Sequence, residues 1–192
     1  MGRIERFPRI DNTYFGGNQV WMKEKKHAAG GCGVIAAANL VEYYRGHGEV
    51  SKDRYMVAVE SLYHWLAPLH LYNPFAEENT YGLPFFRQYV QRLNRYLLSI
   101  GISRQPDFLK KPGYRAAEDF VRRSIDESDP VILLIIGHRK RKRYNNHYMT
   151  ITGYDETDFV IHVSTWGVEE TMPLREIYHQ ATIFRLARLK TR

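Results

Sequence analysis

The sequence contains a single cysteine, Cys32, among its 192 residues. An internal disulfide is therefore excluded, and no pair of thiolates can hold a zinc ion. The stretch 1–17 also lacks the apolar centre that a secretory signal peptide requires. Together these absences predict a reducing, cytoplasmic setting.

Long hydrophobic runs are missing as well. The longest, Val131–Ile136, has the length of a β-strand and not of a membrane span. The eight histidines are scattered, with no spacing typical of a metal site, and no glycine-rich phosphate loop follows a strand. We therefore expect no membrane span, no metal and no cofactor.

Acidic residues are outnumbered, with 21 Asp and Glu against 28 Lys and Arg, so the formal net charge is +7. Most basic residues are spread along the chain, and the only dense run is 139–143. A solvated hairpin tip explains such a run, although it could also select acidic substrates or contact phosphates. No aromatic residues interleave with the run, so nucleic acid is the least supported partner.

Hydrophobic residues make up 44% of the chain, enough to fill the core of one domain spanning 1–192. The apolar spacing is helical before Pro130 and strand-like after it. Helices first and strands later predict an α+β fold, with a helical lobe over about 1–128 packed on an antiparallel sheet lobe over about 129–192. The predicted helices cover 34–44, 52–71, 84–100 and 115–127, and the predicted strands cover Val131–Ile136, 148–152, 159–163 and 182–189.

Cys32 lies between Gly31 and Gly33 at the predicted start of a helix. A thiol acts as a nucleophile only when ionised, and a helix N-terminus favours the thiolate. The glycines would let a substrate carbonyl approach the backbone, where the Cys32 amide could bind an oxyanion. The competing interpretation is that Cys32 is a buried and inert core residue.

A catalytic cysteine needs a general base, and that base is usually a histidine distant in sequence. His147 begins a predicted strand directly after a basic loop, so its imidazole could stand at a sheet edge that faces the helical lobe. By contrast, His64 and His70 share no helix face well, and His47 lies in a turn that ends a helix. The sequence therefore favours His147 as the partner of Cys32.

Three short motifs then occur in a characteristic order: Gly31-Cys32-Gly33, Asn146-His147-Tyr148 and Ser164-Thr165-Trp166-Gly167. In this order they resemble the papain-like cysteine peptidases, and they are most similar to the compact bacterial branch that includes the bacteriocin leader-processing peptidases. The resemblance implies a papain-like fold. Its helical lobe carries the cysteine on a central helix, its sheet lobe carries the histidine, and the active site lies in the cleft between them.

Carried over by position, the resemblance implies that Cys32 is the nucleophile and His147 its base. Ser164 stands where the family has the Asn or Asp that orients the imidazole. A serine hydroxyl can accept a hydrogen bond from the imidazole but brings no negative charge to stabilise the imidazolium. Asp155 or Asp158 in the neighbouring turn could substitute.

The resemblance also implies a glutamine that donates to the oxyanion shortly before the cysteine. Gln19 is the candidate, provided that the intervening segment bulges outwards, and Lys26 or His27 could donate instead. The residues expected to bind substrate are Gly31, Gly33, Asn146 and Trp166.

The function that follows is a cysteine peptidase or amide hydrolase, acting on a peptide or protein through a thioester intermediate. An acyltransferase would use the same residues. A non-catalytic peptide- or ligand-binding module on this fold is the alternative from another class, because Ser164 departs from the family pattern.

Overall fold

A computed structural model describes residues 1–71, 80–110 and 113–191. Its main feature is an antiparallel sheet in the order β11-β10-β9-β8-β12-β7, with β1 added on β9. Small two- and three-stranded sheets lie beside it. The strands are β1 (Gly2–Arg3), β2 (Arg9–Ile10), β3 (Tyr14–Phe15), β4 (Glu49–Val50), β5 (Leu69–Leu71), β6 (Thr80–Gly82), β7 (Gln105–Phe108), β8 (Val131–Ile136), β9 (His147–Asp155), β10 (Val160–Thr165), β11 (Val168–Pro173) and β12 (Ile183–Lys190).

The central strands of this sheet are covered on both faces. In β8 and β9 nearly every residue is buried, and β8 is accordingly a continuous apolar run. Two hydrophobic clusters fill the two sides of the sheet. The helices are α1 (Lys25–Ala29), α2 (Cys32–Tyr44), α3 (Lys52–Leu66), α4 (Phe86–Ser99), α5 (Tyr114–Asp126) and α6 (Leu174–Gln180).

Helix α2 runs through the centre of the molecule. Its residues from Gly33 to Glu42 are all buried, and three consecutive alanines, 36–38, keep the helix narrow. Small side chains let a helix approach its neighbours closely. Helix α2 therefore packs against both α3 and β9, and this packing places the residue at its N-terminus beside the sheet.

The α+β class predicted from the sequence is confirmed, and the predicted elements are present with shifted ends. The helix predicted over 52–71 ends at Leu66, because Ala67 adopts a left-handed conformation with φ of 47°. Leu69–Leu71 then forms a strand that pairs with β6.

The division of the chain at residue 128 is less strict than the sequence predicted. Strand β1 pairs with β9 and strand β7 pairs with β12, so two segments from the predicted helical half belong to the large sheet. That the whole chain forms one domain stays a prediction. No helix in the three described ranges is long and apolar enough to cross a membrane.

Candidate active site

Cys32 is the first residue of α2 and is partly exposed. The glycines around it are required sterically. A Cβ on Gly30 would overlap the backbone carbonyl oxygen of Tyr81, and a Cβ on Gly31 would lie 2.9 Å from that of His27. A backbone atom cannot move aside as the end of a side chain can. The glycines therefore bring the helix start into close packing with its surroundings.

The sulfur of Cys32 lies 3.9 Å from the backbone carbonyl oxygen of Asn146. Burial raises the pKa of the Cys32 thiol, and hydrogen bonds from the backbone at Tyr148, Gly33 and Cys32 oppose this only in part. The thiol is therefore protonated at neutral pH.

His147 begins β9, and only 6% of its surface is exposed. Its Nε2 lies 2.7 Å from the hydroxyl oxygen of Thr165. Its ring stacks on Trp166, with ring centroids 4.3 Å apart and an interplanar angle of 13°. These two contacts fix both the position and the tilt of the imidazole.

Burial lowers the pKa of His147 to about 4, and the positive charge of Arg143 acts in the same direction. The imidazole is therefore neutral at neutral pH. In the tautomer whose Nε2–H donates to Thr165, Nδ1 carries the lone pair that can accept a proton. Cys32, His147 and Thr165 line one small pocket.

The structure gives the imidazole a different partner from the one predicted. Ser164 donates its hydroxyl hydrogen to the carbonyl of Phe15 at 2.9 Å, and its oxygen accepts from the Asn39 amide at 3.3 Å. Successive side chains of a strand point to opposite sides, so Ser164 and Thr165 face different neighbours. The hydrogen bond assigned to Ser164 belongs to Thr165.

Neither Asp155 nor Asp158, the alternative candidates for orienting the imidazole, is the hydrogen-bond partner of His147. The carboxylate of Asp155 lies 2.8 Å from Nε2 of a different histidine, His162. Asp158 is exposed in a turn, where its φ is 55°. The partner of His147 is thus a neutral hydroxyl group.

Gln19 lies in the short 3-10 helix Gln19–Trp21 and lines the same pocket as Cys32. Its side-chain amide donates to the carbonyl of Ala28 at 2.9 Å. Helix α1 lies between Gln19 and Cys32 in the chain. The structure therefore brings Gln19 close to the start of α2.

The two alternative donors have other partners. The ammonium group of Lys26 lies 3.2 Å from the carboxylate of Glu24. The ring of His27 packs against Tyr63 and Tyr81, with centroid distances of 4.3 and 5.2 Å.

A groove of about 410 Å³ opens beside Cys32. Asn146 and Gly30 line it, whereas Gly31 and Gly33 do not. That Asn146 binds substrate stays a prediction. Trp166 instead stacks on the imidazole. The side chains that give the groove its mainly apolar wall are Leu71, Tyr81, Leu83, Leu134, Ile136 and Tyr148.

Two arginines of the basic run 139–143 pair with acidic residues. The guanidinium of Arg141 makes two hydrogen bonds to the carboxylate of Glu176, at 2.9 and 3.1 Å. Arg143 pairs with Glu170 and lies 4.4 Å above the ring of Trp166. Within the run, Arg143 therefore packs on the tryptophan whose ring stacks on the imidazole.

Two residues of the site escaped the sequence analysis. Thr165 was not predicted, because the resemblance assigned the contact with the imidazole to the preceding residue, Ser164. Asn39 is buried in α2, where its side chain accepts from the Gly17 amide at 2.9 Å and from the Tyr55 hydroxyl at 2.7 Å. A polar residue that follows a run of apolar residues within a helix was the signal that could have revealed Asn39.

No group of three His, Cys, Asp or Glu side chains that could hold a metal ion occurs within 1–71, 80–110 and 113–191. The site places a thiol at the start of a central helix and an imidazole at the start of a sheet strand. This arrangement is that of a papain-like cysteine peptidase.

A comparison of the sequence with models of protein families identifies the family within this class. The family described as Peptidase_C39 like matches residues 17–181, which is most of the chain. The chain belongs to this family, and the resemblance to the bacteriocin-processing branch of the papain-like peptidases is confirmed. Among curated proteins, none matches the sequence.

Proposed function

We propose that this protein hydrolyses a peptide bond by using Cys32 as the nucleophile and His147 as the general base. The observation that carries the proposal is the pocket that these two side chains share. In this pocket the hydroxyl group of Thr165 is hydrogen-bonded to Nε2 of the imidazole. Nδ1 is then the nitrogen left to accept the proton of the thiol.

The resting site is a neutral pair, because burial raises the pKa of Cys32 and lowers the pKa of His147. The proton therefore moves from sulfur to Nδ1 as the sulfur attacks the substrate carbonyl. A C–S bond forms, and the carbonyl oxygen becomes an oxyanion. The Cys32 amide at the helix N-terminus and the side-chain amide of Gln19 are the donors proposed to bind it.

Collapse of this intermediate breaks the C–N bond while the His147 imidazolium returns its proton to the leaving amine. Water then attacks the thioester while His147 accepts its proton. The C–S bond breaks, the proton passes from His147 to the sulfur of Cys32, and the carboxylic acid product is released. Transfer to an amine instead of water would give an acyltransferase with the same residues. The mechanism needs a free thiol, so a reducing, cytoplasmic setting is part of this proposal.

The groove beside Cys32 supports a peptide as substrate. Its wall is mainly apolar, and the carbonyl oxygen of Asn146 faces the sulfur. An extended peptide in such a groove would bury apolar side chains and present its backbone to the nucleophile.

A peptide-binding module without catalysis is the second candidate. The specific observation in its favour is that Thr165 brings no charge to stabilise the imidazolium, so the neutral pair gives a weaker nucleophile than an ion pair would.

A library of unblocked and blocked peptides, analysed by mass spectrometry, distinguishes the two candidates. A peptidase gives cleaved products with the wild type, and Cys32→Ser and His147→Gln abolish them. His64→Ala, at an exposed histidine, serves as the matched control and should cleave normally. Cleavage that persists in Cys32→Ser would contradict the proposal. Equal, saturable peptide binding by wild type and Cys32→Ser without any cleavage would establish the binding module instead.

A further inference from the structure

A second and larger groove, of about 550 Å³, lies along the edge of the sheet where β7 ends. Its wall comes from three segments: the end of β7, the end of α6 and the first half of β12. No described residue lines both this groove and the groove beside Cys32. The residues that line it are Leu109, Lys110, Tyr178, His179, Ala181, Thr182, Phe184, Arg185 and Leu186.

The groove follows an unpaired stretch of strand. Strand β7 pairs with β12 only from Ala187 to Lys190, and one further bond joins the Leu109 amide to the Leu186 carbonyl at 3.1 Å. Backbone groups alternate in direction along an antiparallel strand. Since the Leu186 carbonyl points towards β7, the N–H and C=O of Phe184 point the same way, into the groove.

The carbonyl oxygen of Phe184 is bound by the guanidinium of the neighbouring Arg185, at 3.0 Å. Among the described residues no backbone segment pairs with Phe184 on this side. An edge whose backbone groups pair with no neighbouring strand is a template on which an extended peptide can add as a further strand.

The charge of the groove indicates which peptide would fit. Lys110 and Arg185 are exposed, and no carboxylate in the part of the chain that the structure describes lies within 4 Å of either cation. Arg141 and Arg188, by contrast, are paired with the carboxylates of Glu176 and Asp107. Beside the cations, the rings of Tyr178 and Phe184 pack edge to face and supply an apolar surface.

We propose that this groove binds an extended peptide segment carrying acidic side chains, which adds to β12 in line with β7. The Phe184 backbone would pair with the peptide backbone. Arg185 and Lys110 would bind carboxylates, and Tyr178 would contact the apolar side chains between them. This inference goes beyond the proposed function and does not depend on the chemistry of Cys32.

The test uses a fluorescein-labelled, amidated octapeptide of alternating Glu and Val, titrated with the Cys32→Ser protein and followed by fluorescence anisotropy. The Cys32→Ser background prevents cleavage of the probe, so failure of the peptidase proposal leaves the result intact. We expect saturable binding that Arg185→Glu weakens by about tenfold or more, equal to about 1.4 kcal/mol. Arg95→Glu is the matched control, because Arg95 is an exposed arginine on α4 outside the groove, and it should bind as the parent does.

Pairing through the backbone is tested with the same octapeptide carrying N-methyl groups on its amides. This probe keeps the charge but loses the donors that strand addition requires, so its binding should be lost. Binding unaffected by methylation, or weakened equally by Arg95→Glu and Arg185→Glu, would overturn the proposal in favour of unspecific electrostatic attraction. Absence of saturable binding, or Arg185-dependent binding of a single-stranded oligonucleotide in place of the peptide, would also overturn it.

Discussion

Two buried histidines on neighbouring strands of the same sheet have different partners. His162 on β10 bonds the carboxylate of Asp155 through Nε2 at 2.8 Å. His147 on β9 bonds the hydroxyl of Thr165 through the same nitrogen at 2.7 Å. Only His147 lines the pocket of Cys32. In this protein the histidine of the candidate active site is therefore the one bonded to a hydroxyl group, and the histidine bonded to a carboxylate lies outside that site.

The difference matters for proton transfer. A carboxylate stabilises an imidazolium by its charge, whereas a hydroxyl can only orient the ring. His147 is also buried and lies near the positive charge of Arg143, and both conditions favour the neutral ring. Thr165 thus orients the imidazole of His147, the proposed base, without stabilising its charged form.

The largest expected effect concerns the pH dependence of stability. The folded pKa of His147 is about 4, below the unfolded value of 6.5. Between these values the unfolded chain binds more protons, so the free energy of unfolding falls as pH falls from 6.5 to 4. The expected loss is about 3 kcal/mol by pH 4, and urea unfolding at a series of pH values measures it.

The reference for this measurement is His147→Gln, which should lack that contribution. Asp129 acts in the opposite direction, because burial raises its pKa to about 6 and protonation then favours the folded state as pH falls. The contribution of Asp129 cancels when the free energy of unfolding of the variant is subtracted from that of the wild type at each pH. A difference that stays constant from pH 7 to pH 4 would show that the pKa of His147 is not lowered.

A carboxylate placed beside His147 should give it the same kind of partner that His162 has. In Thr165→Asp a negative charge would face Nε2, raise the pKa of His147 and favour a thiolate–imidazolium pair. We expect alkylation of Cys32 by iodoacetamide at pH 6 to become about tenfold faster, since only the thiolate reacts. Intact mass measured over time gives the rate.

Thr171→Asp introduces the same charge at an exposed position of β11 and serves as the control. Its alkylation rate should equal that of the wild type. If Thr165→Asp folds and its rate shows the same pH dependence as the wild type, Thr165 does not control the state of the imidazole.

The smallest effect should follow from weakening the hydrogen bond between His162 and Asp155. Asp155→Asn keeps an acceptor for His162 but removes its charge, and Asp155 is partly exposed, so we expect a loss of about 1 kcal/mol in stability. Alkylation of Cys32 should be unchanged, because His162 does not line its pocket. Asp158→Asn, in the same turn, should change neither quantity. Slower alkylation in Asp155→Asn would show that the two histidines are coupled.

The sequence could not decide between Ser164 and Thr165 for a physical reason. Strand β10 pairs Val163 with Ile151 but His162 with Gly153, so β9 carries an extra residue, Thr152, at a bulge. A bulge changes the phase of the side chains along one strand relative to its partner. Spacing along the sequence cannot predict which residue then faces His147.

Other features were accessible from sequence because they depend on local interactions. The helix from Cys32 and the strand Val131–Ile136 follow from apolar patterns within a few residues of each other. The short strands β1 and β7 escaped prediction, because each is defined only by its pairing with a distant strand.

By itself, the sequence determined which thiol and which imidazole are candidates, since the chain has one cysteine and one histidine that begins a strand after a polar loop. It also determined the α+β class through periodicity. Only the tertiary structure decided the partner of His147, the neutral state of the Cys32 pocket and the free edge at Phe184. Each of these depends on burial and on contacts between segments far apart in the chain, which no local pattern records.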